Sequence, residues 1–191
     1  MATPCIDLPV HWPTRDEMAA VLLPKESRGF ELGVWRGDFS RVLMDVVKPK
    51  KLILVDRWRM YADYAEPAGT RREFEDAYEL VQLRFKDEIE DGRVVLVRED
   101  TLAAAKKFSD ECADWINLDA NHEFRYALRD LRKWANKLVE GGYLMCHDLM
   151  PAEHYGVDRA IDRFLFERPD FVALGRTAET DFPTAVLQRR G

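Results

Sequence analysis

The sequence predicts an α/β fold: a doubly wound, mostly parallel seven-stranded sheet with a reversed last strand. Three observations carry this expectation. Short apolar runs alternate with amphipathic stretches along the chain, the rhythm of parallel strands joined by helical crossovers. Some of those runs are continuous rather than alternating, as in strands buried on both faces. The last two runs have no helical stretch between them, so a connection of about ten residues suits a hairpin that enters the sheet antiparallel.

Taken in order, Thr14-Arg15-Asp16-Glu17 reads as a capping box opening a short helix that Pro24 ends. Gly29–Gly33 is a strand, followed by a helix over Asp38–Val47 that stops before Pro49. Lys51–Asp56 is an uninterrupted apolar strand, and 57–69 carries no periodicity. Thr70-Arg71-Arg72-Glu73 is a second capping box. Phe74, Tyr78, Val81, Phe85 and Ile89 then recur at helical spacing and predict one helix ending near Gly92. Val94–Val97 is a strand, Leu102–Phe108 a helix and Ala113–Asp119 a strand. Phe124, Leu128, Leu131, Trp134 and Leu138 mark a helix closed by Gly141-Gly142. Tyr143–Asp148 is a strand, Val157–Glu167 a helix stopped before Pro169, and Phe171–Leu174 and Ala185–Gln188 are the final pair.

A length of 191 residues fits one ordinary domain, here expected over 27–191, with 1–26 as a segment and helix covering its site. The hydrophobic fraction of 47% is enough for a sizeable core. There are 29 basic against 35 acidic residues, a net charge of −6, and no Lys/Arg cluster. Nucleic-acid and anionic-membrane surfaces are therefore poor partners, and no apolar run approaches a membrane span. Prolines interrupt the start of the chain where a secretory signal would lie. Cys5, Cys112 and Cys146 are odd in number and widely spaced, so a cytoplasmic setting is expected.

In a sheet of this kind ligands bind beyond the carboxyl ends of the strands, where strand order reverses. Glu31-Leu-Gly33-Val-Trp35-Arg-Gly37 occupies the first such turn. Its glycines allow a tight turn and close approach to a ligand, but Glu31 stands where a dinucleotide fingerprint has its first glycine. Asp56 ends the second strand at the distance where a carboxylate holds a ribose hydroxyl pair. Asp100 follows the third strand and Asp119 ends the fourth. At an effective dielectric near 20, a like charge at ~4 Å costs up to ~4 kcal/mol and an opposite charge gains as much. Such a rim repels a diphosphate and favours a cationic cofactor, S-adenosylmethionine.

These residues, the E-x-G-x-x-x-G turn, Leu54-Val55-Asp56, the Glu99-Asp100-Thr101 corner and the run from Leu118 to Asp148, resemble the class I S-adenosylmethionine-dependent methyltransferases. The resemblance spans residues 27–190 and is greatest to a small bacterial branch related to catechol-type and sugar O-methyltransferases. It implies a Rossmann-like methyltransferase fold with Glu31, Gly33 and Gly37 beside the methionine part, together with Ser40 and with Trp35, whose alternative reading is a core residue. Asp56 would take the ribose hydroxyls, with Arg57 and Trp58 beside it, while Asp100 and Thr101 would face the adenine.

Asp119 and His147-Asp148 end the fourth and fifth strands, which lie about 4.8 Å apart if they are neighbours. Three ligand side chains then converge as a divalent cation requires. In the catechol-type relatives an acid and an acid-plus-polar pair hold magnesium here. His147 departs from that pattern, which brings in manganese and softer ions, or no metal, with Asp119 positioning cofactor and His147 partnering Asp148. His122, three residues beyond Asp119, is the candidate general base, and its alternative role is to support the following helix. His11 and His154 lie in flanking loops.

The expected reaction is methyl transfer to a small-molecule hydroxyl, with Trp58, Tyr61 and Tyr64 in a lid over 57–69. With no appended substrate domain, the acceptor is small or its site is completed by a second copy, as in a homodimer. A nicotinamide or nucleotide-sugar oxidoreductase and a catalytically silent cofactor-binding module are the competing readings. No Asn-Pro-Pro-aromatic motif of amine methylation is present.

Overall fold

The structure, a computed structural model, describes residues 8–59, 69–149 and 155–191. Along the described chain run β1 (Val10–Trp12), α1 (Arg15–Leu22), β2 (Arg28–Leu32), α2 (Asp38–Val46), β3 (Lys51–Asp56), α3 (Arg71–Arg84), α4 (Lys86–Glu90) and β4 (Val94–Arg98). They continue as α5 (Thr101–Ala105), β5 (Ala113–Leu118), α6 (Phe124–Trp134), β6 (Leu138–Cys146), α7 (Val157–Glu167), β7 (Phe171–Thr177) and β8 (Ala185–Arg189). The sheet order is β1-β7-β8-β6-β5-β2-β3-β4. Every pairing is parallel except the two made by β8, so the doubly wound sheet with a reversed last strand is as expected.

Alternation of side chains divides the core into two layers. Phe30, Leu32, Ile53, Ile116 and Leu118 point to the face covered by Leu128, Leu131, Trp134, Ile161 and Phe164 of α6 and α7. Leu52, Leu54, Trp115 and Met145 point to the other face, under Met18, Leu43 and Val81 of α1, α2 and α3. The chain winds outward from β2 through β3 to β4, then returns to place β5 against the opposite edge of β2. That reversal puts the ends of β2, β3 and β5 beside one another.

Four details differ from the sequence reading. An eighth strand, β1, adds to the edge at β7; three residues between Pro9 and Pro13 carry too little pattern to be read. The predicted helix over Phe74–Ile89 breaks at Phe85, where φ is −113° and ψ is 22°, because that ring is wholly buried against the α2 side. The helix marked by Leu138 ends at Trp134, and Leu138 starts β6. Gly141-Gly142 instead forms a bulge between the Ala113–Leu138 and Trp115–Tyr143 pairs, with Gly141 at φ +78°. α5 ends at Ala105 rather than Phe108.

Both capping signals are used. The Thr14 hydroxyl accepts from the Glu17 amide at 3.2 Å. At Thr70 the box closes both ways, the Glu73 amide donating to the hydroxyl and the Thr70 amide donating to Glu73 Oε2 at 2.6 Å. Thr70→Ala should cost about 1 kcal/mol, read as a lower urea midpoint at unchanged slope.

Candidate active site

β2 ends in the glycine turn, and the turn is held from two sides. Gly33 has φ +88°, and a Cβ there would fall 1.9 Å from the Asp119 carbonyl oxygen at the end of β5. From β3, Asp56 Oδ2 accepts from the Val34 and Trp35 amides at 2.8 and 3.0 Å. Its Oδ1 accepts from the Trp58 amide at 2.7 Å. Trp58 Nε1 in turn donates to the Trp35 carbonyl at 2.8 Å. This clamp holds Trp35 and Trp58 at φ +52° and +42°, a region that bulky residues adopt only when their surroundings impose it.

The clamped turn borders a cavity of about 370 Å³. Of the residues expected to hold cofactor, Glu31, Gly33, Trp35, Asp56, Arg57, Thr101 and Asp119 line it. Gly37, Ser40, Trp58 and Asp100 do not. Gly37 caps α2 at φ +73°, and Ser40 lies wholly buried, its hydroxyl donating to Glu31. Trp58 is buried against Tyr78 with ring centroids 4.8 Å apart. The Asp100 carboxylate accepts from the Leu102 amide at 3.0 Å as the cap of α5, and Glu99 lines the cavity instead.

Sequence reasoning missed Arg15, Phe39, Phe74 and Asn121 in the lining. Asn121 is buried, its Oδ1 accepting from the Glu123 amide at 2.9 Å, while Nδ2 has no hydrogen-bond partner among the described residues. For Asn121 the one available signal was its place two residues after the strand-end Asp119. His11 sits in edge strand β1 against Gly175, away from the cavity; Tyr61, Tyr64 and His154 lie outside the described residues.

Asp119, His147 and Asp148 do converge. His147 Nδ1 stands 3.3 Å from Asp119 Oδ1 and 3.1 Å from Asp148 Oδ1. The nitrogen is buried and directed between the carboxylates, so neither contact is an aligned hydrogen bond. An octahedral ion with bonds near 2.0–2.1 Å places adjacent donors about 3 Å apart. The three side chains therefore fit a small divalent cation, with ligand atoms within 4.8 Å of one another. His122 joins from the side, Nδ1 lying 3.4 Å from Asp148 Oδ2 and its ring stacked on Tyr155 at 3.8 Å. Phe182 lies over His147 at 6.3 Å and near Tyr155 at 6.1 Å.

Burial shapes the charges. It pushes the Glu31 carboxyl up to about 8, outweighing the hydroxyl of Ser40 that favours the ionised form. Burial alone would lower the His147 imidazole, but Asp119 and Asp148 overcome it and raise it to about 9. Asp148 would be raised by burial too, yet its histidine neighbours hold it well below the usual carboxylate range.

Gly33→Ala should cost stability by more than an ordinary surface change, about 2–4 kcal/mol, since backbone rather than a flexible side chain must yield. Unfolding curves with the ligand-free protein measure it. The fold also favours protonated Glu31 and protonated His147. Stability should therefore fall as pH rises, from Glu31 between about 4.5 and 8 and from His147 between 6.5 and about 9. The Asp148 contribution is present above the ordinary carboxylate pKa and lost on acidification. Melting temperatures in chelator should thus peak in mildly acidic buffer, and Glu31→Gln should flatten the decline up to about pH 8; an unaltered profile would refute the buried-acid account.

The methyltransferase domain family matches residues 30–149 of the chain. No curated protein matches the sequence. Among solved structures, cofactor-bound Rv0187 from MTB shares the fold at 14% identity and a TM-score of 0.67, over 96% of this chain and 84% of that one. An rRNA methylase from Streptococcus thermophilus does so at 15% and 0.60, over 92% and 94%. An O-methyltransferase family protein from Burkholderia thailandensis does so at 14% and 0.64, over 92% of this chain and 55% of that one. Such identities speak for the fold alone. The family match is different, because it runs from the glycine turn through both acid-bearing strand ends to the His147-Asp148 pair: the chain belongs to the methyltransferase domain family and is built on the class I S-adenosylmethionine-dependent plan.

Proposed function

We propose that the protein transfers the methyl group of S-adenosylmethionine to a hydroxyl oxygen of a small-molecule acceptor, aided by a divalent cation on Asp119, His147 and Asp148. The observation that carries this reading is the double placement of Asp119, which lines the cavity and also belongs to the three-donor cluster. One carboxylate thus borders both the methyl donor's side and the side where an acceptor oxygen would sit.

The cavity's volume lies in the range of small-ligand sites. The carboxylates of Asp56, Glu99 and Asp119 in its lining favour a sulfonium and ammonium over a diphosphate. Bound S-adenosylmethionine supplies an already activated methyl group, and a bound cation lowers the pKa of an acceptor hydroxyl. What remains for the chain is alignment and proton removal. Asp56 keeps the turn amides fixed under the ligand. His122, braced by Asp148 and the Tyr155 ring, takes the acceptor's proton. Phe182 and Tyr155 stand on that side, their ring centroids 6.1 Å apart.

A small acceptor is supported by the net charge of −6. An RNA acceptor is the second reading, favoured by Arg36, Arg57 and Arg59 at the same cavity; labelled RNA and a panel of hydroxyl compounds, offered side by side, decide between them.

S-adenosylhomocysteine should raise the melting temperature while NAD leaves it unchanged. His122→Ala should lower kcat by about 10²–10⁴ without weakening S-adenosylhomocysteine binding. Chelator should abolish turnover and added magnesium or manganese restore it. Full activity in chelator would remove the cation from the mechanism.

A further inference from the structure

Resting on the methyl-donor reading above, we infer that Arg15, supplied by the N-terminal helix α1, is the binding residue for the α-carboxylate of the donor's amino-acid end. The residue lies outside the region that the family match covers.

The argument starts from the chemistry of that end. It carries an ammonium and a carboxylate on one carbon, so a site that takes it needs acids and a base side by side. The cavity provides the acids at one end: Glu31 is wholly buried there and feels the charges of Asp119 and Arg15. Arg15 Nη1 donates to Asp119 Oδ2 at 3.2 Å, and the guanidinium lies over the Phe39 ring at 4.1 Å. Along one wall the neutral, protonated Glu31, the cationic Arg15 and the carboxylate of Asp119 thus stand side by side.

The other arginines of the lining, Arg36, Arg57 and Arg59, belong to the turn after β2 and the segment after β3. Arg15 alone among them is tied to Asp119. Stacking on Phe39 fixes the plane of its guanidinium, and a guanidinium has five donors in a rigid fork suited to a carboxylate. One is used on Asp119; the others have no hydrogen-bond partner among the described residues. The side chain keeps about a quarter of its surface exposed, which leaves the fork open to a ligand. Binding then exchanges partners: the carboxylate takes the fork, and Asp119 is released toward the cation cluster and the ammonium.

The test compares two thioethers that differ only in the amino-acid end. Calorimetry with S-adenosylhomocysteine and with 5′-methylthioadenosine is run on the wild type, Arg15→Ala and Arg15→Lys. Loss of charge-assisted hydrogen bonds should weaken S-adenosylhomocysteine about 10- to 100-fold in Arg15→Ala, with a smaller loss in Arg15→Lys. Methylthioadenosine should bind all three proteins alike, which also shows that the variants are folded. Equal losses on both probes would mean that Arg15 merely holds α1 over the cavity, and would overturn the inference. So would no loss on either. Wild-type protein that binds neither probe would overturn the methyl-donor reading itself, and the inference with it.

Discussion

At the carboxyl ends of β2 and β5 the backbones pass so closely that one methyl group on Gly33 would land 1.9 Å from the Asp119 carbonyl oxygen. The contact is continuous with the sheet, since the Asp119 amide donates to the Leu32 carbonyl at 2.8 Å and the Gly33 amide to the Val55 carbonyl at 2.9 Å. Three strand ends are thereby locked into one register, and everything attached to them inherits the spacing. The glycine turn cannot drift from Asp119, and Asp119 cannot drift from His147, whose amide donates to the Leu118 carbonyl at 3.1 Å. The ligand cavity and the three-donor cluster are neighbours because backbone bonds, rather than side-chain contacts, make them so.

On this frame the charges are arranged in pairs that satisfy one another before any ligand arrives. Arg15 answers Asp119, the two carboxylates answer His147, and Glu31 is kept protonated at neutral pH by its burial. An isolated buried charge would cost several kcal/mol, so the unliganded site has to balance itself. On the proposed function, the methyl donor or a cation would then enter by exchange of partners. Such exchange lets an acid-rich cavity remain part of a stable fold and still bind positive charge.

The sheet was legible because periodicity records burial: β3 is apolar from Leu52 to Val55 and lies between β2 and β4, as its continuous run implied. The cluster Asp119, His147 and Asp148 was legible because parallel neighbouring strands bring their ends together. What escaped was how individual carboxylates are used. Asp56 spends three of its acceptor positions on backbone amides, and Asp100 caps a helix; a strand-end acid looks the same in sequence whether it serves a ligand or a loop. Trp58 was expected beside the cofactor and in a lid over 57–69, and the structure buries it in the core. Arg15 was invisible as a site residue because its helix reaches the cavity only through packing of α1 on α2, which no local pattern encodes.

Backbone strain follows the same division. Asp148 has φ +64° and Phe182 +58°, and with Trp35 and Trp58 they surround the site; Glu26, Lys48 and Glu111, at +52° to +54°, lie in turns elsewhere. A turn residue with a small energetic cost can be left to its loop. Bulky aromatic residues in this conformation cost on the order of 1–3 kcal/mol each and persist only where neighbours over-determine them, whereas Asp adopts it more readily. At Trp35 and Trp58 the neighbours are Asp56 and an indole hydrogen bond. At Asp148 they are two imidazoles, one toward each carboxylate oxygen. The left-handed backbone at Asp148 accompanies a carboxylate turned back between His122 and His147, instead of following the extended strand it leaves. An extended backbone at 148 would carry the carboxylate off that line and away from both imidazoles. The turn of the backbone at 148 is therefore coupled to the proposed chemistry: it sets the Asp148 carboxylate between His122, the proposed proton acceptor, and His147 of the proposed cation cluster.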